Sequence, residues 1–356
     1  MRQITYAQAI HEAIDQCMER DPSVFVIGEG VPDPKGIFGT TLGLRSKFGP
    51  NRVLDMPVSE NGLTGVCIGA ALAGFRPILT HQRVDFSLLS FDQIVNNAAK
   101  WYYMFGGQRS VPIVIRMIIG RGWGQGSQHS QSLQALYAHI PGLKVVMPAT
   151  AVDAKGLLIA AIEDDNPVIF IEHRWLHNIK GDVPSGYFRE KIGSSKVISN
   201  GKDLTLVATS YMTFECLKAL KILQAEGLSI ELIDVRTVKP FDISSVLNSV
   251  KKTGKLVVVD TGVKSLGFAG EVVAQVAELA YKRLDGAPIR VTLPDIPTPT
   301  SWKLAEKYYP TYLDITRVIL EVLKVKTVKI KSILAKNKST KITPSDIPDL
   351  SFTGPF

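Results

Sequence analysis

The sequence has 356 residues, enough for about two domains, and its 45% hydrophobic content excludes an intrinsically disordered chain. No apolar run reaches the roughly 18–20 residues that cross a bilayer, and the start MRQITYAQAIHEAIDQ lacks the apolar core of a secretion signal, so a cytoplasmic protein is expected. The formal net charge of +8 does not point to nucleic acid, because seven lysines and no acid between Lys324 and Lys341 carry most of it and no nucleic-acid motif accompanies them.

Apolar residues at Ala7, Ile10, Ala13, Ile14 and Cys17 predict a helix from Tyr6 to Arg20. The run VFVIGE reads as a short buried strand ending at Gly28 and Glu29, before a glycine- and proline-rich loop, GVPDPKGIFG. Leu42 to Phe48 reads as helix, and RVLDMPVSE as a strand followed by a loop. Gly62 to Gly74, GLTGVCIGAALAG, is small and apolar throughout and predicts a buried helix; it contains no phosphate-loop pattern. A strand, PILTH, a helix from Phe91 to Tyr103, a strand, VPIVIRM, and the glycine-rich loop IIGRGWGQGSQHS follow. Strand LKVVMP, helix Ala151 to Glu163 and strand PVIFIEH complete the first half.

The polar stretch GDVPSGYFREKIGSSKVISNGKD reads as a linker, with a domain boundary near residue 195. The pattern then restarts. Strand LTLVATS leads to helix Thr213–Glu226 and strand SIELIDVRTVKP. Helix Ile243–Lys251, strand KLVVVDTG, helix Ala269–Leu284 and strand PIRVTLP come next, and Tyr312 to Leu323 is amphipathic. Near-continuous apolar strands alternating with helices predict an α/β fold of two α/β domains built on mostly parallel sheets. The expected units are residues 1–190, residues 198–323 and a basic C-terminal tail, 324–356. The tail reads as a flexible partner-contact element, with Phe352 and Phe356 as anchors for its extreme end. Cys17, Cys67 and Cys216 are widely spaced and form no CxxC pair, which fits buried or incidental thiols in a reducing compartment.

Ligands of parallel sheets collect beyond the carboxyl ends of the strands. The loops at Glu29, Glu60, His81–Phe86 and Gly120–His129 all follow predicted strands and form the candidate site. By residue type alone, Glu60 in MPVSENG is a solvated loop residue or an acid at a helix N-terminus. His129, among small polar neighbours, is an accessible imidazole able to give and take protons near neutral pH. Phe86 is either a core residue or a flat surface for a heteroaromatic ring. His81, His139, His173 and His177 lack metal-ligand spacing, and no GxSxG accompanies the serines.

The landmarks IGE, PVSENG, GAALAGFRPI, FDQIVNNAAK, VPIVIR, QHSQS, HIPGLKVVMP, DAKGLL, EDDNPVIF and IE occur in order, and DVRTVKPFD, LVVVDTG, LPDIPTP and IPDLSFTGPF follow them. Together they make the chain resemble the β subunit of the decarboxylating component of pyruvate and branched-chain 2-oxo acid dehydrogenases, in the transketolase-like superfamily. That resemblance implies an N-terminal domain of pyrimidine-binding type and a C-terminal transketolase-like domain. It implies thiamine diphosphate shared with an α subunit in a heterotetramer of two α and two β chains, and acyl transfer to the lipoamide of an acyltransferase core. Glu60 would share a proton with N1′ of the aminopyrimidine, Phe86 would lie against that ring, and Glu29 and Gln82 would line the site. His129 would assist proton transfer as the acyl unit passes on. The carbonyls of Ile113, Ala161, Asp164 and Asn166 would hold potassium.

The superfamily commonly holds the diphosphate through Mg²⁺ with a GDG sequence, which this chain lacks; the resemblance therefore places that half of the site on the α subunit. Two departures stand near the implied substrate face. Thr80, followed by His81, replaces a common glutamate, and Arg83 replaces a commonly apolar residue. A split thiamine enzyme acting on acetoin or a sugar precursor, and a non-catalytic assembly subunit, are the other readings.

Overall fold

The computed structural model describes residues 2–122 and 124–338. Its first helix spans Tyr6–Arg20, as the periodicity predicts, and starts where Thr5 and Gln8 exchange hydrogen bonds: the Gln8 amide donates to Thr5 Oγ1 (3.1 Å) and the Thr5 amide to Gln8 Oε1 (2.9 Å). This reciprocal cap satisfies two otherwise orphaned amides. The helix buries Ile10, Ala13, Ile14 and Cys17 and packs on helix Ala151–Ile162, which Thr150 caps in turn.

Seven strands form the first sheet, in the order Thr237–Lys239, Lys144–Val146, Val168–His173, Val114–Ile119, Arg76–His81, Val24–Gly28 and Val53–Leu54. All neighbours are parallel except the first pair. Five strands form the second sheet, in the order Ile289–Leu293, Leu256–Val263, Leu204–Ala208, Ile230–Asp234 and Lys196–Ser199, with only the last antiparallel. Helices cover both sheets, which explains why the strands read as continuous apolar runs.

Several expectations change. The stretch SIELIDVRTVKP is not one strand: it splits into Ile230–Asp234, in the second sheet, and Thr237–Lys239, which crosses to the first. Arg236 makes the break with φ +57°, and its buried guanidinium donates to Asp153 Oδ1 (2.7 Å) and Glu190 Oε2 (3.1 Å). The polar linker also contributes structure. Lys180–Val183 pairs with Arg2–Thr5, and Lys196–Ser199 edges the second sheet. Buried Lys155 ties this stretch down by donating to the carbonyls of Pro184 (3.1 Å) and Gly186 (2.7 Å) and to Glu12 (2.7 Å). The helix expected from Phe91 to Tyr103 follows a 3₁₀ turn, Phe86–Ser90, and is interrupted: it runs as a π segment, Gln93–Ala98, and a short helix, Trp101–Met104. Helical periodicity does not specify which carbonyl closes each turn. The small-residue helix runs Glu60–Leu72 but is buried on one face only; Asn61, Gly62 and Gly69 are exposed and Val66 is 60% exposed.

The lysine-rich segment is not a flexible arm where it is described. Thr327–Asn337 is a helix that buries Ile330 and Ile333 against helix Tyr312–Val322. Tyr312 Oη donates to the Asn337 carbonyl (3.1 Å), and Lys329 pairs with Glu226 (3.1 Å). The two isoleucines stand three apart, on one helical face, and that apolar pair outweighs the surrounding charge. Phe352, Phe356 and the IPDLSFTGPF end lie outside the described residues. Truncation after Leu323 is expected to lower the melting temperature of the purified chain by several degrees, since each fully buried isoleucine contributes about 1.5–3 kcal/mol. An unchanged melting curve would show that the helix adds no stability.

Candidate active site

Parallel register brings the carboxyl ends of Val24–Gly28, Arg76–His81 and Val114–Ile119 to one edge, where the loops carrying the candidate residues leave the sheet. Gly28 has to be glycine, since a Cβ there would lie 2.4 Å from the Thr80 carbonyl oxygen of the neighbouring strand. That close approach sets Glu29 beside the loop that follows Arg76–His81.

Glu60 is the first residue of its helix and 6% exposed, so the solvated-loop reading does not hold. Its carboxylate makes no side-chain hydrogen bond among the described residues. It is available to a ligand that carries a donor. Glu29 lies close to it. Burial, followed by the charges of Glu60 and Asp55, pushes the Glu29 carboxyl above its usual range. Glu29 Oε1 is buried without a partner among the described residues. Asp55 accepts from the Gly30 and Met56 amides, both at 3.0 Å, and so fixes the turn after Glu29. Gln82 Nε2 donates to the Glu29 carbonyl (2.9 Å), joining the two loops.

Phe86 is half-buried and meets His129 edge to face, with ring centroids 5.3 Å apart and planes at 89°. The structure therefore gathers the expected residues in two groups, Glu29–Glu60–Gln82 and Phe86–His129, linked by the chain from Gln82 to Phe86. The two departures also become concrete. Burial holds the His81 imidazole neutral, with its pKa pushed down to about 4. Arg83 is buried, donates from Nη2 to Gln125 Oε1 (2.5 Å) and has no partner at Nη1 among the described residues; desolvation pushes its pKa down to about 10.

Carbonyls expected to hold potassium take part in the hydrogen bonds of the surrounding turns. The Ile113 carbonyl accepts from the Val168 amide (3.0 Å) and the Ala161 carbonyl from the Asp164 amide (3.3 Å). Arg76 Nη1 donates to the carbonyls of Asp164 and Ile162, both at 3.1 Å. A guanidinium thus already brings positive charge to this corner. Among the described residues, no group of three His, Cys, Asp or Glu is placed to hold a metal ion, and no helix is long and apolar enough to cross a membrane.

The sequence did not single out the supports of the His129 loop. Gln131 Nε2 donates to Asp85 Oδ1 (2.8 Å), Ser127 Oγ to the Thr298 carbonyl (2.9 Å), and the Arg121 guanidinium lies over the rings of Trp175 and Tyr309. The one local signal for these contacts is the density of glycines in GRGWGQG: Gly124 and Gly126 take φ of +68° and +66° where Thr300 comes close.

Residues 2–179 match the family described as "Transketolase, pyrimidine binding domain" and residues 193–315 "Transketolase, C-terminal domain". The chain is 43% identical over 333 residues to the acetoin:2,6-dichlorophenolindophenol oxidoreductase subunit beta of Cupriavidus necator, covering 91% of this chain and 98% of that one. It is 41% identical to the pyruvate dehydrogenase E1 component subunit beta of Rickettsia bellii (91% and 100% covered) and 40% identical to the mitochondrial counterpart of Bos taurus (91% of each). A solved structure, a split gene transketolase described as an inactive beta4 tetramer, superimposes with a TM-score of 0.75 at 25% identity, covering 91% of this chain and 99% of that chain.

Proposed function

The chain belongs to the transketolase-like family of dehydrogenase E1 β subunits, and from that premise we propose that it forms, with an α subunit, an enzyme that decarboxylates a 2-oxo acid on thiamine diphosphate. The acyl group would pass to the lipoamide of an acyltransferase core, and the working unit would hold two α and two β chains in the cytoplasm. The observation that carries this reading is Glu60, a residue 6% exposed whose carboxyl makes no hydrogen bond among the described residues, beside a second carboxyl, Glu29, whose Oε1 is buried without a partner among them.

Those groups fit an aminopyrimidine, which offers nitrogen donors and takes up one proton. Bound thiamine diphosphate would supply an acidic C2 carbon and accept the electrons of the departing carbon dioxide. Glu60 would hold and return the proton at N1′. Gln82 and Glu29 would shape the rim, Phe86 would lie against the ring, and His129 would move a proton during acyl transfer. Mg²⁺ and the diphosphate would be held mainly by the α subunit, since this chain has no GDG sequence. No step is assigned to potassium.

A second reading, turnover of acetoin, is supported by the relative named for acetoin. The purified chain alone is expected to show no thiamine-dependent turnover. With its α subunit, a panel of 2-oxo acids and acetoin, assayed with an artificial electron acceptor, would identify the substrate. Appreciable turnover by the chain alone would sink the half-site proposal, and turnover of acetoin without any 2-oxo acid would select the second reading.

A further inference from the structure

The loop that carries His129 is held from outside its own domain. Arg121, at its start, places its guanidinium carbon 3.8 Å from the ring centroid of Tyr309 and 4.2 Å from that of Trp175. Trp175 in turn packs edge-on to Tyr211, and Tyr211 stacks on His173 at 4.8 Å. Further along the loop, Ser127 Oγ donates to the Thr298 carbonyl (2.9 Å). A Cβ on Gly126 would lie 2.5 Å from Thr300 Oγ1, so the loop backbone runs directly beneath this residue.

Thr298 and Tyr309 belong to one small unit of the second half of the chain. Leu293, Ala305, Tyr308 and Tyr309 pack as a separate cluster, and Thr298 Oγ1 donates to Tyr308 Oη (3.2 Å). The two contacts bracket the glycines at 122, 124 and 126, where the loop has least stiffness of its own. The loop also meets Arg83, through Gln125, Asp85, through Gln131, and Phe86, through His129.

We propose that Arg121 and Tyr309, together with Ser127 and Thr298, form a clamp by which the second domain positions His129 for acyl transfer to lipoamide. This rests on the proton-transfer role proposed for His129. In that step the carbon carried by the cofactor would give an electron pair to one lipoyl sulfur as the S–S bond breaks, and would then leave as the acyl group, losing its hydroxyl proton to solvent while the pair of its bond to the cofactor stays with the cofactor. The second sulfur leaves with the electron pair and takes a proton from the imidazole; the disulfide is the oxidant. Arg121 and Tyr309 touch no reacting atom and act by fixing where the imidazole stands. Their effect therefore falls on transfer and spares decarboxylation, which proceeds at the Glu60 end of the site.

The test uses the assembled α–β enzyme and two assays, decarboxylation coupled to an artificial electron acceptor and reductive acylation of free lipoamide. Tyr309→Leu is expected to lower kcat for lipoamide acylation about 10-fold, as misplacement of a reacting group does, and to leave the KM for lipoamide little changed. Acceptor-coupled decarboxylation should stay within about twofold, and Tyr309→Phe, which keeps the ring under the guanidinium, should restore both. Ser127→Ala removes one hydrogen bond and no core volume, and should show the same split on a smaller scale even where Tyr309→Leu does not assemble. Equal loss in both assays would overturn the clamp, as would an unchanged acylation rate in both variants. His129→Ala separates the premise from the proposal: acylation that survives it refutes the role of His129 itself, whereas acylation lost in His129→Ala and intact in the clamp variants refutes the clamp alone.

Discussion

Replacing Glu60 with glutamine should reduce turnover of the α–β enzyme by at least about 100-fold, the scale of lost general acid–base catalysis, with assembly intact. Glutamine preserves the length and planarity of the side chain and so the packing of a helix start that is 6% exposed. It cannot hold and release the proton at N1′. The direct measurement is exchange of the C2 hydrogen of bound cofactor for deuterium; an unchanged exchange rate removes Glu60 from the mechanism. A second readout lies in Glu29, whose carboxyl is raised by burial first and then by the Glu60 charge. With Glu60 neutral, the Glu29 titration should move down toward the ordinary carboxylate range.

Patterns that depend on near neighbours were legible in the sequence. The helix Tyr6–Arg20 was complete in its apolar spacing, and the core strands were apparent as apolar runs because both their faces are covered. What depended on distant partners was not. Nothing in SIELIDVRTVKP announces that Thr237–Lys239 joins the other sheet, because the cause is a buried guanidinium meeting Asp153 and Glu190 from elsewhere in the chain. The helix Thr327–Asn337 was hidden by its lysines, since two isoleucines on one face are a weak signal beside so dense a charge run. Glu60 and His129 have no signature by type. Family landmarks singled them out, and the structure adds the burial of one and the Phe86 contact of the other. The clamp on the His129 loop was invisible for the same reason as the strand exchange: Tyr309 and Thr298 are remote in sequence and carry no motif.

The largest expected effect on stability comes from an ion pair inside the first sheet. Arg116 and Glu172 stand on adjacent strands, Val114–Ile119 and Val168–His173, and both side chains are fully buried. Arg116 Nε donates to Glu172 Oε1 (2.7 Å) and Nη2 to Glu172 Oε2 (3.0 Å), while a second Nη2 bond reaches Thr40 Oγ1 (3.0 Å) in the loop after Glu29. His177 Nε2 lies 3.1 Å from Glu172 Oε2. Burial opposes the Glu172 charge, yet the Arg116 guanidinium and the hydrogen bonds prevail and hold its pKa down at about 2. The folded pKa is depressed, so the stabilisation is fully present above the ordinary glutamate range of about 4.3. It is lost as the pH falls toward 2. Glu172→Leu leaves Arg116 charged, buried and without its carboxylate, which costs about 3–5 kcal/mol. Denaturant titration at neutral pH should show that loss, and the deficit should shrink as the pH approaches 2, where the wild-type carboxylate is itself protonated. Adding Arg116→Leu removes the stranded charge and should recover most of the stability, at the expense of the Thr40 bond that ties down the Glu29 loop. A double variant no more stable than Glu172→Leu would show that the pair is not the source of the effect.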